Sequence, residues 1–104
     1  MKKLQITPLK DNTFMLVAPF HIKGYIIPQY YKTNGADIPR IFWSYIAPNT
    51  PKYLNAVVIH DYLCELKRYE EADRVFEEVL LEIENSFKTR TMVKSVKFYT
   101  RWIR

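Results

Sequence analysis

His60, Asp61 and Asp73 are the residues of this 104-residue chain best suited to chemistry. His60 falls three positions after Val57 and four after Ala56, on the apolar side of a helical stretch. An imidazole placed there needs a hydrogen-bond partner. It can serve as a general base, as a metal ligand, or as a core group tied to a carbonyl or carboxylate. Asp61 can orient a neighbouring group, bind a cation or face solvent. Asp73 lies three residues before Phe76 and seven before Leu80, at the edge of an apolar stripe. Near a helix N-terminus it would gain from the helix dipole. The sharper expectation is an ion pair with Arg40 or His60 across a helix interface.

A second group sits in the turn Thr33-Asn34-Gly35-Ala36-Asp37-Ile38-Pro39-Arg40. Asp37 lies two residues before Pro39, which suits the first turn of a helix, so Asp37 is expected to cap it. The amides of the same turn could instead hold a carbonyl or phosphate oxygen of a substrate. Asn34, Asp37 and Arg40 are therefore the candidate substrate and turn residues. A divalent metal held by His60, Asp61, Asp37 and Asp73 is chemically allowed, with His60 and Asp61 as the first ligands. His60 and Cys64, at i and i+4, share a face, but Cys64 reads as a core residue rather than a nucleophile.

The elements that must position these groups follow from pattern. Residues 3–8 and 13–19 are β-like runs around the turn Lys10-Asp11-Asn12. Gly24 breaks the chain before Tyr25-Ile26-Ile27, and Tyr30–Thr33 leads into the Asn34-Gly35 turn. A short helix is expected over 39–46, followed by helices over 52–66, 69–86 and 88–103. In the helix over 69–86, Ala72, Val75, Phe76, Val79, Leu80 and Ile83 recur at i, i+3, i+4, i+7, i+8 and i+11. The fold class is α+β: a small N-terminal antiparallel sheet, then a three-to-four-helix segment. The length suggests a single domain, β-rich over 1–33 and helical over 34–104.

Charge is unevenly spread. Residues 1–60 hold seven Lys/Arg against two Asp/Glu, residues 61–84 nine acids against three bases, and residues 85–104 six bases and no acid. The basic C-terminal helix could bind nucleic acid. The favoured reading is that it neutralises the acidic helix before it. Exposed aromatics such as Tyr30, Tyr31 and Trp102 suit a protein partner. The single cysteine excludes an internal disulfide and favours a reducing compartment. No stretch of the sequence is long and apolar enough for a membrane span. The chain is expected in the host-cell cytoplasm or on a virion.

Thr33, Gly35, Ala36, Ile38, Pro39, Arg40, Trp43, His60, Asp61, Tyr62, Leu63, Ala72, Asp73 and Phe76 resemble, in order and approximate spacing, a family common in bacteriophages and prophages, domain of unknown function 1353. The resemblance covers about residues 14–85. It departs at Asn34, where the family pattern has an acid, at Asp37, where it has a small hydroxyl residue, and at Cys64, where it has an aromatic. The resemblance implies a phage-type origin rather than a reaction. Two functions follow as expectations. One is a small phage or prophage accessory protein, acting in the tail, in assembly or at the host, with a buried His-Asp cluster. The other is a small hydrolase using His60 with Asp61 or Asp73, with a metal if one is bound.

Overall fold

The structure is a computed structural model and describes residues 4–10, 13–33 and 53–103, with side chains through Arg101. Five short strands precede three helices. They are β1 (Ile6–Pro8), β2 (Phe14–Leu16), β3 (Phe20–Ile22), β4 (Tyr25–Ile27), β5 (Lys32–Thr33), α1 (Leu54–Glu65), α2 (Tyr69–Ile83) and α3 (Phe87–Ile103). This is the α+β order expected, with three helices among the described residues. The short helix expected over 39–46 lies outside them.

The expected single sheet is two. One has the order β1-β2-β5 and the other pairs β3 with β4, all antiparallel. Strand β3 escaped the pattern reading because Gly24 looked like a break. It is instead half of a two-residue hairpin loop. Lys23 and Gly24 both have positive φ, 50° and 81°, which matches the right-handed twist of the flanking strands. Phe20, Ile22 and Ile27 bury their side chains from this hairpin. In the other sheet, Phe14 stands opposite Thr33 and Met15 opposite Lys32. That register turns the Thr33 side chain inward, where it is buried.

Helix α1 was expected to show one apolar face. It is buried on most sides, through Leu54, Ala56, Val57, Val58, Ile59, His60, Leu63 and Cys64. A helix with so few polar residues can only be stable inside. It ends in a Schellman motif. The Lys67 amide donates to the Cys64 carbonyl at 2.9 Å and the Arg68 amide to the Leu63 carbonyl at 3.0 Å, with Lys67 left-handed at φ 62°. The reversal lays α2 along α1.

Helix α2 buries Ala72, Val75, Phe76, Val79 and Leu80, the stripe read from the sequence, with Ile83 packed at its end. Glu70 and Glu71 occupy its first turn, where the helix dipole favours acids. A reciprocal cap then opens α3: the Ser86 amide donates to Thr89 Oγ1 at 2.9 Å, and the Thr89 amide to Ser86 Oγ at 3.3 Å. This is the capping-box arrangement with threonine in the third position. Met92, Val93 and Val96 of α3 close the core.

Candidate functional site: a polar clasp across three helices

The periodicity that buries α1 also buries its histidine. His60 is fully enclosed (0% exposed). Its Nε2 lies 2.9 Å from Asp73 Oδ1, on α2. The Oγ1 of Thr100, on α3, donates to the same oxygen at 3.0 Å. One carboxylate oxygen thus accepts from two helices while belonging to the third. With Nε2 as donor, this network sets the tautomer of His60. The Phe76 ring stands edge-on to the imidazole, with centroids 5.3 Å apart and planes at 64°.

The ion-pair alternative between Asp73 and His60 is therefore met geometrically. The other candidate partner, Arg40, lies outside the described residues, as do Asn34 and Asp37. The clasp also includes a residue the sequence reading passed over. This is Thr100. The signal was there: a threonine at i+4 from Val96 and i+8 from Met92 is a hydroxyl on an apolar face, and such a group requires an acceptor.

Asp61 goes elsewhere. Consecutive helix residues project about 100° apart, so Asp61 leaves the His60 face and meets the sheet. Thr33 Oγ1 donates to Asp61 Oδ2 at 2.5 Å, joining β5 to α1. This parting of neighbours also bears on the metal expectation. Among the described residues no group of three or more His, Cys, Asp or Glu side chains could hold a metal ion, so His60, Asp61 and Asp73 do not converge as ligands. Asp37, the fourth member of that set, is outside the described residues.

Cys64 Sγ lies 3.8 Å from both ring nitrogens of His60 and is buried. Burial pushes the thiol up to about 12, and the carboxylates of Asp73 and Asp61 add to the shift. A thiol held protonated in this way is not a nucleophile. The folded protein keeps this proton at pH values where an unfolded chain, with an ordinary thiol near 8.5, has lost it. The resulting stability is complete below about pH 9 and is lost as pH rises from there towards 12. Tyr25, hydrogen-bonded to Glu71, and the half-buried Tyr31 are also shifted up and extend the loss above about pH 10. A melting series from pH 8 to 11 should therefore fall steadily, and Cys64→Ala should flatten its first part. Native Cys64 should label with a disulfide reagent only at the rate of unfolding.

Tyr31 was expected to be exposed. It is half-buried instead, edge-on to Tyr62 at 5.4 Å. Its hydroxyl is buried and makes no hydrogen bond among the described residues. The carboxylates of Asp61 and Glu65 are near enough to raise its pKa, after burial, but do not accept from it within bonding geometry. Removing a buried hydroxyl that has no partner relieves a desolvation cost. Tyr31→Phe should leave stability unchanged or raise it by up to about 1 kcal/mol in urea unfolding.

On its open side Asp73 reaches a cavity of about 600 Å³ between α2 and α3, also lined by Tyr69, Glu70, Arg74 and Glu77 from α2 and by Lys97, Thr100 and Arg101 from α3. The Asp73 side chain is 15% exposed there, while that of His60 is not exposed at all. The arrangement can hold three helices in register. It can also present one carboxylate to a solute, but it cannot present the imidazole.

An α+β domain closed by a His–Asp–Thr clasp is the class these features define. The chain belongs to the family described as "Protein of unknown function (DUF1353)", whose model matches residues 12–96. It is also similar to "Uncharacterized protein y4jT" of Sinorhizobium fredii (strain NBRC 101917 / NGR234), at 50% identity over 42 residues. That match covers 39% of this chain and 12% of the relative's length. No solved structure matches the chain. Among the described residues no helix is long and apolar enough to cross a membrane.

Proposed function

We propose that the chain is a small phage- or prophage-type accessory protein, acting in the tail, in assembly or at the host through a protein partner. In this reading the His60–Asp73–Thr100 clasp is structural. The enclosure of His60 carries it: a general base must reach the proton it removes, and this imidazole has no open side. Exposed apolar side chains on the β-rich part, Ile26 at 58% and Tyr30 at 66%, supply the contact surface such a protein needs. The phage setting rests on the motif resemblance, and a place in the host cytoplasm or on the virion goes with it. The alternative, a small hydrolase, is favoured only by the access of Asp73 to the cavity.

Deletion of the coding sequence from a phage or prophage that carries it should reduce infectious particles. His60→Gln, if it folds, should restore them. Ester, amide or phosphoester turnover by the purified chain that disappears in His60→Gln would instead establish the hydrolase.

A further inference from the structure

Asp73 is bound through one oxygen only. Its Oδ1 is taken by His60 and Thr100. Its Oδ2 has no hydrogen-bond partner among the described residues and is not sealed from solvent. Oδ2 is therefore the oxygen that opens onto the α2–α3 cavity. Two donors on its sibling hold it still, so it is an acceptor ordered before any ligand arrives.

The charges around this opening do not all cancel. Lys97 is held by Glu77 at 2.8 Å, and Arg74 pairs along its own helix with Glu78 at 3.2 Å. Glu70 from α2 and Arg101 from α3 line the same space and form no ion pair among the described residues. Glu70 and Asp73 are three residues apart, so they share a face of α2. The lining thus leaves two carboxylates on the α2 side and one guanidinium on the α3 side. Tyr69, half-buried, adds an aromatic ring to the wall.

We propose that this cavity binds a free basic amino acid, arginine above all, with its side-chain cation on Asp73 and its carboxylate on Arg101. The ligand's guanidinium donates to Oδ2 of Asp73, its carboxylate accepts from Arg101, and its α-ammonium meets Glu70. The ligand's net positive charge offsets the net negative charge of those three side chains. Its methylenes lie along Tyr69. An anion would face two carboxylates with one cation to offset them. A metal ion has no ligand set among the described residues. A zwitterion with adjacent charges is too short, because Arg101 and Asp73 stand on different helices and form no pair with each other. The volume of about 600 Å³ is usual for a small-ligand pocket. The site lies apart from the partner surface proposed above and calls for no turnover.

Isothermal titration calorimetry of the 104-residue chain at low salt tests it. L-Arginine should bind saturably. Citrulline, whose side chain ends in a neutral urea group, should bind about tenfold more weakly or worse, and so should agmatine, which lacks the carboxylate. Asp73→Asn keeps an acceptor for the clasp but removes the charge, and Arg101→Gln alters an exposed side chain; each should weaken arginine binding about tenfold. Should Asp73→Asn fail to fold, Arg101→Gln and the ligand series decide alone. No saturable heat with arginine would overturn the inference, as would equal affinity for citrulline or agmatine, or arginine binding unchanged in Arg101→Gln. Equal affinity for Nα-acetyl-arginine amide, which imitates an arginine inside a protein chain, would also overturn it and make the cavity a socket for a partner's side chain.

Discussion

Replacing Asp73 with alanine is expected to destabilise the protein by about 3 kcal/mol. Among the described residues the carboxylate is the acceptor shared by His60 and Thr100, so its loss takes the partner from two donors at once. The histidine is enclosed and the threonine is 8% exposed. The histidine cannot turn to water without opening the helix packing, whereas the threonine borders the cavity. An orphaned buried donor costs about 1–3 kcal/mol, which puts the pair near the stated sum. In a chain of this length the melting temperature should fall by roughly 15 °C. Asp73→Asn keeps a carbonyl acceptor at the same reach and should cost only about 1 kcal/mol. The comparison separates a shared acceptor from simple loss of volume. Equal effects of alanine and asparagine would count against the clasp.

His60→Ala is the second large effect, at about 2–4 kcal/mol. It differs in kind from the first. The substitution empties the space between Phe76 and Cys64, so a cavity cost is added to the lost hydrogen bond. Asp73 suffers less, because Thr100 still donates to it and its side chain is partly open to the cavity. His60→Gln retains a donor at about the distance of Nε2 and should recover roughly half of the loss. Urea unfolding of the three proteins gives the order wild type, His60→Gln, His60→Ala. Loss of an activity with stability intact would place His60 in a reaction after all.

Both effects depend on groups whose burial could be read in advance, and the reason is geometric. Helical periodicity fixes which residues share a face, so the stripe of α2 from Ala72 to Ile83 was plain. The same rule set His60 inward beside Val57. From there, pairing with an inward acid on the next helix was a short step, because an enclosed polar group must have a partner. What pattern does not contain is the rotation of one helix against another. Thr100 lies forty residues beyond His60, and nothing local says that α3 turns it towards Asp73. The same limit explains the metal expectation. Adjacent His60 and Asp61 looked like a pair in the chain, but a helix separates neighbours by about 100° and sends one to Asp73 and the other to Thr33.

In the β-rich part the strands were read one by one, but their grouping was not. Lys23-Gly24 reads equally as a break or as a hairpin loop, and only the pairing of Phe20 with Ile27 decides. Charge was legible only in part: Lys97 of α3 does meet Glu77 of α2. Adjacent acidic and basic segments suggested mutual neutralisation, yet a helix offers each side chain only the neighbours on its own face. Glu82 therefore meets Lys23 from a strand hairpin, and Lys94 faces outward.

The central claim is that His60 and Asp73 stabilise the fold through each other. A double-mutant cycle measures this directly, using urea unfolding of wild type, His60→Ala, Asp73→Ala and the double variant. The account predicts that the two single losses together exceed the loss in the double variant by about 1.5–3 kcal/mol. Losses that add to within about 0.5 kcal/mol would mean that the two groups are mere neighbours and would contradict it.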